Sequence, residues 1–257
     1  MYNYSLKEMM AIVAAREIKN GDIVFCGTGI SMLAAMAAKN INAPESVIFF
    51  ETGAIDSQLE ELPLAVGDSR VMYRTSANGG LADSFAFMQN PITGKHVVGI
   101  LGAAQIDKFG NLNSTVIGDY FSPEIRFSGS GGGCDVASFV PRSIIFMQHE
   151  KRKFVKKLDY LTSPGYLDGA DSGSSRKKAG LPEGGPVMVV SNLGVMRFDD
   201  ITKEMYLAGT YPGITTQKIL DNMEFDIDVS RAKEVLPPSE DELKLLREKC
   251  DPQRLIL

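Results

Sequence analysis

Two periodicities alternate at the start of the chain, and they narrow the fold more than anything else in it. Ser5 followed by Glu8 is a capping-box pattern, and Leu6, Met9, Met10, Val13 and Ile18 then recur at helical spacing until Asn20-Gly21. Asp22 to Cys26 reads as a strand. Gly27-Thr28-Gly29 turns it into a second helix, Met32 to Asn40, and Ser46 to Phe50 is the next strand. Strands joined through helices run parallel, so the alternation predicts an α/β fold with a mostly parallel sheet. Arg70 to Arg74, His96 to Leu101, Ser143 to Gln148 and Val187 to Ser191 are further strand candidates, short and bounded by turn residues. Asp226 and Asp228 alternate along a further strand, Phe225 to Val229, and form no metal site. Helices are expected over Thr216 to Met223 and Ser239 to Lys249, while Asp168 to Gly185 reads as a mobile loop or hairpin tip. With 257 residues, 44% of them hydrophobic, the chain is long enough for one large α/β domain or two small ones.

The strand Ser46 to Phe50 carries a carboxylate at its tip, Glu51, followed by Thr52 and Gly53. Desolvating an unpaired carboxylate costs on the order of several kcal/mol, so a core strand gains nothing structural from one. The structural alternative is an arginine partner or a cap on the next helix. The chemical reading is a nucleophile turned into a crevice by Thr52-Gly53, since open α/β sheets bind ligands beyond the carboxyl ends of their strands.

Three other stretches carry functional signals. Gly27-Thr28-Gly29 follows a strand and opens a helix, but Met32 stands at the third glycine position, so the dinucleotide fingerprint is incomplete. What remains is a turn with free N–H groups that suits an anion or oxyanion, or a plain tight turn. Ser128 to Asp135 is the densest glycine run, read as lying directly before a strand, where ligand atoms can approach the backbone closely. Gln105 to Thr115, which includes Asn113, is a polar row suited to lining a pocket or an interface. The basic cluster Lys151, Arg152, Lys153, Lys156 and Lys157 reads as a solvated strand face, with the phosphates of a cofactor such as CoA as the minority reading.

Composition removes several function classes. The net charge of −5 gives no basic excess for nucleic acid. No apolar run approaches the ~18 residues of a membrane span, and the N-terminus has no signal-like apolar core. Three cysteines, Cys26, Cys134 and Cys250, are widely spaced and fit a reducing cytoplasm. Two histidines, His96 and His149, are too few for a histidine-rich metal site, and no metal is expected.

The stretches GDIVFCGTGISMLAA, VIFFETGAID, GAAQIDKFGNLNSTVIGDY, RFSGSGGGCDVAS, MQHEKRKFVKKLDYLTSPG and VVSNLGVMRFD together resemble the β subunits of the glutaconate CoA-transferase family. The resemblance spans nearly the whole chain. It implies an open, mostly parallel α/β sheet with helices on both faces, a single domain over 1–257 with a C-terminal helical extension, and a cytoplasmic hetero-oligomer with an α subunit. It makes Glu51 the nucleophile, with Thr52 a mild departure from the family's Ser or Asn. It gives the backbone amides of Gly131 and Gly132 to the thioester oxygen. Gly27, Thr28, Gly29, Thr52, Gly53, Gly133 and Asn113 then contact substrate or CoA. No cofactor is held permanently, and CoA is a co-substrate alongside an acyl-CoA and a free carboxylic acid. A carboxylate nucleophile is ionised near pH 7 and needs no general base. Relatives recruited as decarboxylase or ring-opening hydrolase subunits, and a non-catalytic partner subunit, are the alternatives. The acyl group is not legible, and Arg70, Arg74 and Arg126 stand as unranked cations for a second substrate carboxylate.

Overall fold

The computed structural model describes residues 3–169 and 175–257. Its helices, in chain order, are α1 (Leu6–Glu17), α2 (Ile30–Ile41), α3 (Leu81–Gln89), α4 (Gly133–Phe139), α5 (Ser175–Lys178), α6 (Thr216–Leu220) and α7 (Glu240–Leu245). The chain forms two compact units, Met1–Leu101 with Pro237–Leu257, and Gly102–Leu236.

In the first unit the strands are β1 (Ile23–Phe25), β2 (Val47–Phe49), β3 (Ala54–Ile55), β4 (Ala77–Asn78) and β5 (Val97–Gly102), in the order β5-β1-β2-β3-β4. β5, β1 and β2 are parallel, with Phe25 opposite both Phe49 and Gly99, and β3 and β4 add an antiparallel edge. The predicted capping box is present: the Glu8 N–H donates to Ser5 Oγ at 3.2 Å and the Ser5 N–H to Glu8 Oε2 at 2.7 Å. Residues 8–15 of α1 are all buried, so the helix is enclosed on nearly every side rather than on one stripe. The core holds Met9, Ile12, Met32, Leu33, Ile48, Phe49 and Phe50, and Phe49 meets the rings of Phe25 and Phe87 edge-on at 5.1 and 5.4 Å.

The second unit holds two hairpins, β6 (Gln105–Ile106) with β7 (Leu112–Asn113) and β8 (Val116–Gly118) with β9 (Pro123–Arg126). Its sheet runs β10 (Arg142–Met147), β11 (Pro186–Ser191), β12 (Gly194–Phe198), β13 (Met205–Thr210) and β14 (Lys233–Glu234). β10 and β11 are parallel, as are β13 and β14, and β12 is antiparallel to both its neighbours. Parallel pairs joined through helices, β5-β1-β2 in the first unit and β10-β11 in the second, match the α/β expectation.

Four local expectations change. Arg70 to Arg74 is not a strand; Asp68 accepts from the Arg70 N–H at 3.0 Å and starts a tight helical turn, Ser69–Met72. Phe225 to Val229 gives one bridge, Asp228 to Tyr206, because the Asp228 carboxylate takes the Ser230 N–H at 2.8 Å and bends the chain away. The glycine run precedes α4 rather than a strand. The basic cluster is a turn, with the Lys153 N–H donating to the Glu150 carbonyl at 2.8 Å and Phe154 fully buried as its anchor. Part of the loop expected over Asp168 to Gly185, residues 170–174, lies outside the described residues; Ser175–Lys178 is helical, with Arg176 buried. Among the described residues no helix is long and apolar enough to cross a membrane.

Candidate active site

Because β1 and β2 are parallel and in register, the loops that follow them leave the first unit's sheet at one edge. One is Gly27-Thr28-Gly29, where Gly29 caps α2 and space is open beside both glycines. The other carries Glu51. Expected at a strand tip, Glu51 stands at the apex of the β2–β3 hairpin. The Gly53 N–H donates to the Phe50 carbonyl at 3.0 Å, and the Phe50 N–H donates to the Ala54 carbonyl at 3.0 Å. Ser84 Oγ from α3 donates to the same Phe50 carbonyl at 2.8 Å. Gly53 has φ +98°, and a Cβ there would lie 2.0 Å from the Gly79 carbonyl oxygen, so only glycine closes this turn.

Glu51 on this rigid apex is half-buried, and among the described residues its carboxylate makes no hydrogen bond and no ion pair. The structural alternative of an arginine partner or a helix cap is therefore not realised. Beside it the Thr52 hydroxyl is buried and has no hydrogen-bond partner among the described residues. Cys26, under the neighbouring loop, is inert: burial pushes its thiol up to about 12.

In the second unit the polar row organises the glycine run. Asp107 accepts the N–H groups of Phe109 and Asn111 at 2.9 and 3.0 Å and sets the first turn. The Ser114 hydroxyl donates to the Gly129 carbonyl at 2.8 Å, and the Gly129 N–H returns to the Ser114 carbonyl at 3.1 Å. Ser130 then accepts twice, from the Gly133 N–H at 2.8 Å and, through its hydroxyl, from the Cys134 N–H at 2.8 Å. Between these clamps the N–H groups of Gly131 and Gly132 have no acceptor among the described residues. Both glycines have positive φ, +50° and +85°, and space is open beside Gly131.

Two of the expected contact residues are already engaged. Asn113 is fully buried; its amide donates to Gln105 Oε1 and the Val116 carbonyl, each at 2.7 Å, and its oxygen accepts from Thr115 and Val116. It shapes the row and has no group left for a ligand. The Gly133 N–H closes the Ser130 turn and is likewise occupied. Among the three arginines, Arg70 is held by Asp68 at 2.6 Å and Arg74 lies 3.8 Å from Glu60. Arg126 rests over the Tyr120 ring at 4.7 Å and meets no carboxylate among the described residues.

A cavity of about 720 Å3 opens within the second unit, and the polar row reaches it through Gln105 and Ser114. Ile117, Ile125, Phe127 and Val155 form its apolar wall, Ser114 and Ser128 its polar side, and Arg152 and Lys153 its basic side. The hairpin β8–β9 supplies most of the apolar wall. Glu150 pairs with Arg152 at 2.6 Å, while Lys151, Lys156 and Lys157 are exposed nearby without a carboxylate partner among the described residues. His149 is not a base here. Burial pushes its pKa down to about 4, and both ring nitrogens are engaged, by Ser191 Oγ at 3.2 Å and the Ile219 carbonyl at 3.1 Å.

These features meet known proteins along nearly the full length of the chain. The family model for Coenzyme A transferase matches residues 7–222. The glutaconate CoA-transferase B subunit of Acidaminococcus fermentans is 43% identical over 97% of this chain and 94% of its own length. The 3-oxoadipate CoA-transferase B subunit of Pseudomonas knackmussii is 36% identical over 96% of this chain and 94% of its own. The crystal structure of glutaconate coenzyme A-transferase from Acidaminococcus fermentans superposes with a TM-score of 0.94 at 42% identity, covering 99% of this chain and 97% of that one. Sequence and fold converge: the chain belongs to the coenzyme A transferase family and is similar over nearly its whole length to the B subunit of glutaconate CoA-transferase.

Proposed function

We propose that the chain is the β subunit of a CoA-transferase and that Glu51 carries CoA as a glutamyl thioester between two carboxylic acids. The observation that bears most weight is the Glu51 carboxylate itself, half-buried on a turn that cannot relax and without any partner among the described residues. A carboxylate left in that state is poised for a ligand.

The reaction follows from the groups present. A Glu51 oxygen attacks the thioester carbonyl of the donor acyl-CoA, and the N–H groups of Gly131 and Gly132 donate to the developing oxyanion. Each such donor contributes ~3–4 kcal/mol in a transition state. The C–S bond breaks and CoA leaves as its thiolate, giving a mixed anhydride between Glu51 and the acyl group. The thiolate attacks the glutamyl carbonyl and expels the donor acid as its carboxylate, leaving the glutamyl–CoA thioester. An acceptor carboxylate reverses both steps and departs as the new acyl-CoA. Every nucleophile in the cycle is already anionic, so no proton has to be moved. The cavity beside Ser128 suits a neutral, partly apolar arm of CoA, and the free lysines near its basic side suit its phosphates.

Both relatives above are named for dicarboxylic substrates, which supports a short dicarboxylic acid and its CoA ester as the substrate class, with Arg126 the candidate for the second carboxylate. Since each of those relatives is one subunit of a larger enzyme, the reading includes an α subunit as partner. Incubating the two-subunit enzyme with acyl-CoA and then borohydride should reduce and label Glu51. Glu51→Ala should lose the label and at least about 1000-fold of the transferase rate. Label on another residue, retained activity in that variant, or CoA released to water with no acid accepting it would defeat the proposal.

A further inference from the structure

We propose that Arg176 is a positioning residue that fixes the Gly131 and Gly132 N–H groups by holding the far end of α4. The inference rests on the reading of those amides as oxyanion donors.

Arg176 is only 4% exposed and meets no carboxylate among the described residues. Its guanidinium instead donates to backbone carbonyls of three chain segments. Nη1 and Nη2 each reach the Ala137 carbonyl at 3.1 Å, and Nη2 reaches Ser138 at 2.8 Å. Nη1 also donates to Gly165 at 2.8 Å, and Nε to Pro182 at 3.2 Å. Ala137 and Ser138 belong to the last turn of α4, which the Val140 N–H closes by donating to the Val136 carbonyl at 3.1 Å. Their own carbonyls would otherwise lack partners inside a buried region. A cation there also meets the negative end of the helix dipole.

α4 has seven residues and is therefore ~10 Å long, a short rod. Its other end is capped by Gly132, whose carbonyl accepts the Val136 N–H at 3.0 Å. The glycine run is thus clamped at its start by Ser114 and at its end, through α4, by Arg176. The anchoring segment does not give. Asn111 Oδ1 accepts the N–H groups of Gly165 and Leu167 at 2.8 and 3.0 Å, and a Cβ on Gly165 would lie 2.4 Å from the Gly110 backbone. A lysine carries its three donors on a single nitrogen at the end of a flexible stem; the planar fork spreads its donors over three nitrogens and reaches all three segments together. A shift of about 1 Å in an oxyanion donor is enough to cost up to ~100-fold in rate, so the far end of the rod matters to the near one.

The test uses the chain purified with its partner subunit. Arg176→Lys, Arg176→Gln and a chain in which glycolic acid replaces Gly131, turning its N–H into an ester oxygen, are each compared with wild type, and Arg176→Lys is combined with the Gly131 ester. Borohydride-trapped label on Glu51 counts competent sites, single-turnover formation of the label gives the rate per competent site, and calorimetry gives the Kd for CoA. Arg176→Lys should label to full occupancy with its rate per site lowered about 10- to 100-fold and its Kd changed less than about threefold. Its loss should also not multiply with that of the Gly131 ester. A per-site rate within about twofold of wild type, with any loss confined to the number of competent sites, marks a purely structural arginine and overturns the inference, as do multiplicative losses. Should Arg176→Gln not accumulate as a folded complex, Arg176→Lys decides alone. An unchanged per-site rate in the Gly131 ester would instead sink the oxyanion reading, and this inference with it.

Discussion

At the scale of single residues, Thr52 is the least expected observation. A buried hydroxyl without a partner costs about 1–3 kcal/mol, and this one adjoins Glu51. Thr52→Val keeps the shape and removes the hydroxyl. The free chain should then unfold at a denaturant midpoint equal to or higher than wild type, by up to about 1 kcal/mol, while transferase turnover falls if the hydroxyl finds its partner in the bound thioester. A destabilised chain would mean that the hydroxyl already has a structural partner. Glu51 was legible in the sequence because an acidic residue ends an apolar strand. Thr52 was not, because a threonine before a glycine reads as an ordinary turn residue until burial is known. Asn113 errs in the other direction: polar by sequence, it is saturated by the Gln105 side chain and by neighbouring backbone groups.

At the scale of elements, α7 and the helical turn that continues it, Leu246–Cys250, are laced to α1 by two pairs of opposite sense. Arg247 binds Glu8 at 2.5 and 3.0 Å near the start of α1, and Arg16 binds Glu242 at 2.9 and 2.6 Å near its end. Each contributes about 1–2 kcal/mol, since the carboxylates are largely buried and doubly bonded. Burial pushes the Glu8 carboxyl up, but the Arg247 and Ser5 hydrogen bonds outweigh it and hold the group below the usual carboxylate range. Glu242 is lowered by the same balance of burial against Arg16 and Ser239. A carboxyl lowered in the folded state stabilises fully above its unfolded value and loses that contribution as pH falls through the folded one. The midpoint of urea unfolding should therefore be flat from pH 7 down to about 5 as far as these groups act, and fall below about 4. In Glu8→Gln it should be lower at pH 7 and decline less steeply in acid; an identical acid limb in both proteins would show that the pair does not contribute. The capping box of α1 and the span of the C-terminal helix were plain in the sequence. Their lacing was not, because the partners are 226 and 239 positions apart. The antiparallel strands β12 and β13 escaped notice for a related reason: glycine, methionine and arginine in those segments break the β-branched pattern, and their pairing comes from neighbours in the sheet.

For the molecule as a whole, the chain by itself leaves an aromatic hairpin in solvent. Phe121 is 91% exposed, and Tyr120, Ile125 and Phe127 on the same β8–β9 segment are exposed as well. Scattered apolar residues are ordinary on a surface, but four on one hairpin form a patch. Together with the reading as one subunit of two, this leads to the expectation that the isolated chain has no transferase activity. Titrating in the α subunit should raise activity to a plateau at equal stoichiometry. Full activity in the isolated chain would contradict the two-subunit reading.

The parallel α/β core and the position of Glu51 were determined by the sequence alone, because both are written in local order: periodicity, capping residues, and one charge where an apolar strand ends. Tertiary structure alone decided which polar groups are satisfied. Whether the Glu51 carboxylate, the Thr52 hydroxyl and the Gly131 and Gly132 amides are free, and whether Asn113 is not, depends on partners brought together by folding. Hydrogen bonds are short-ranged and directional, so a difference of about one ångström separates a ligand contact from a structural tie, and no spacing along the chain encodes it.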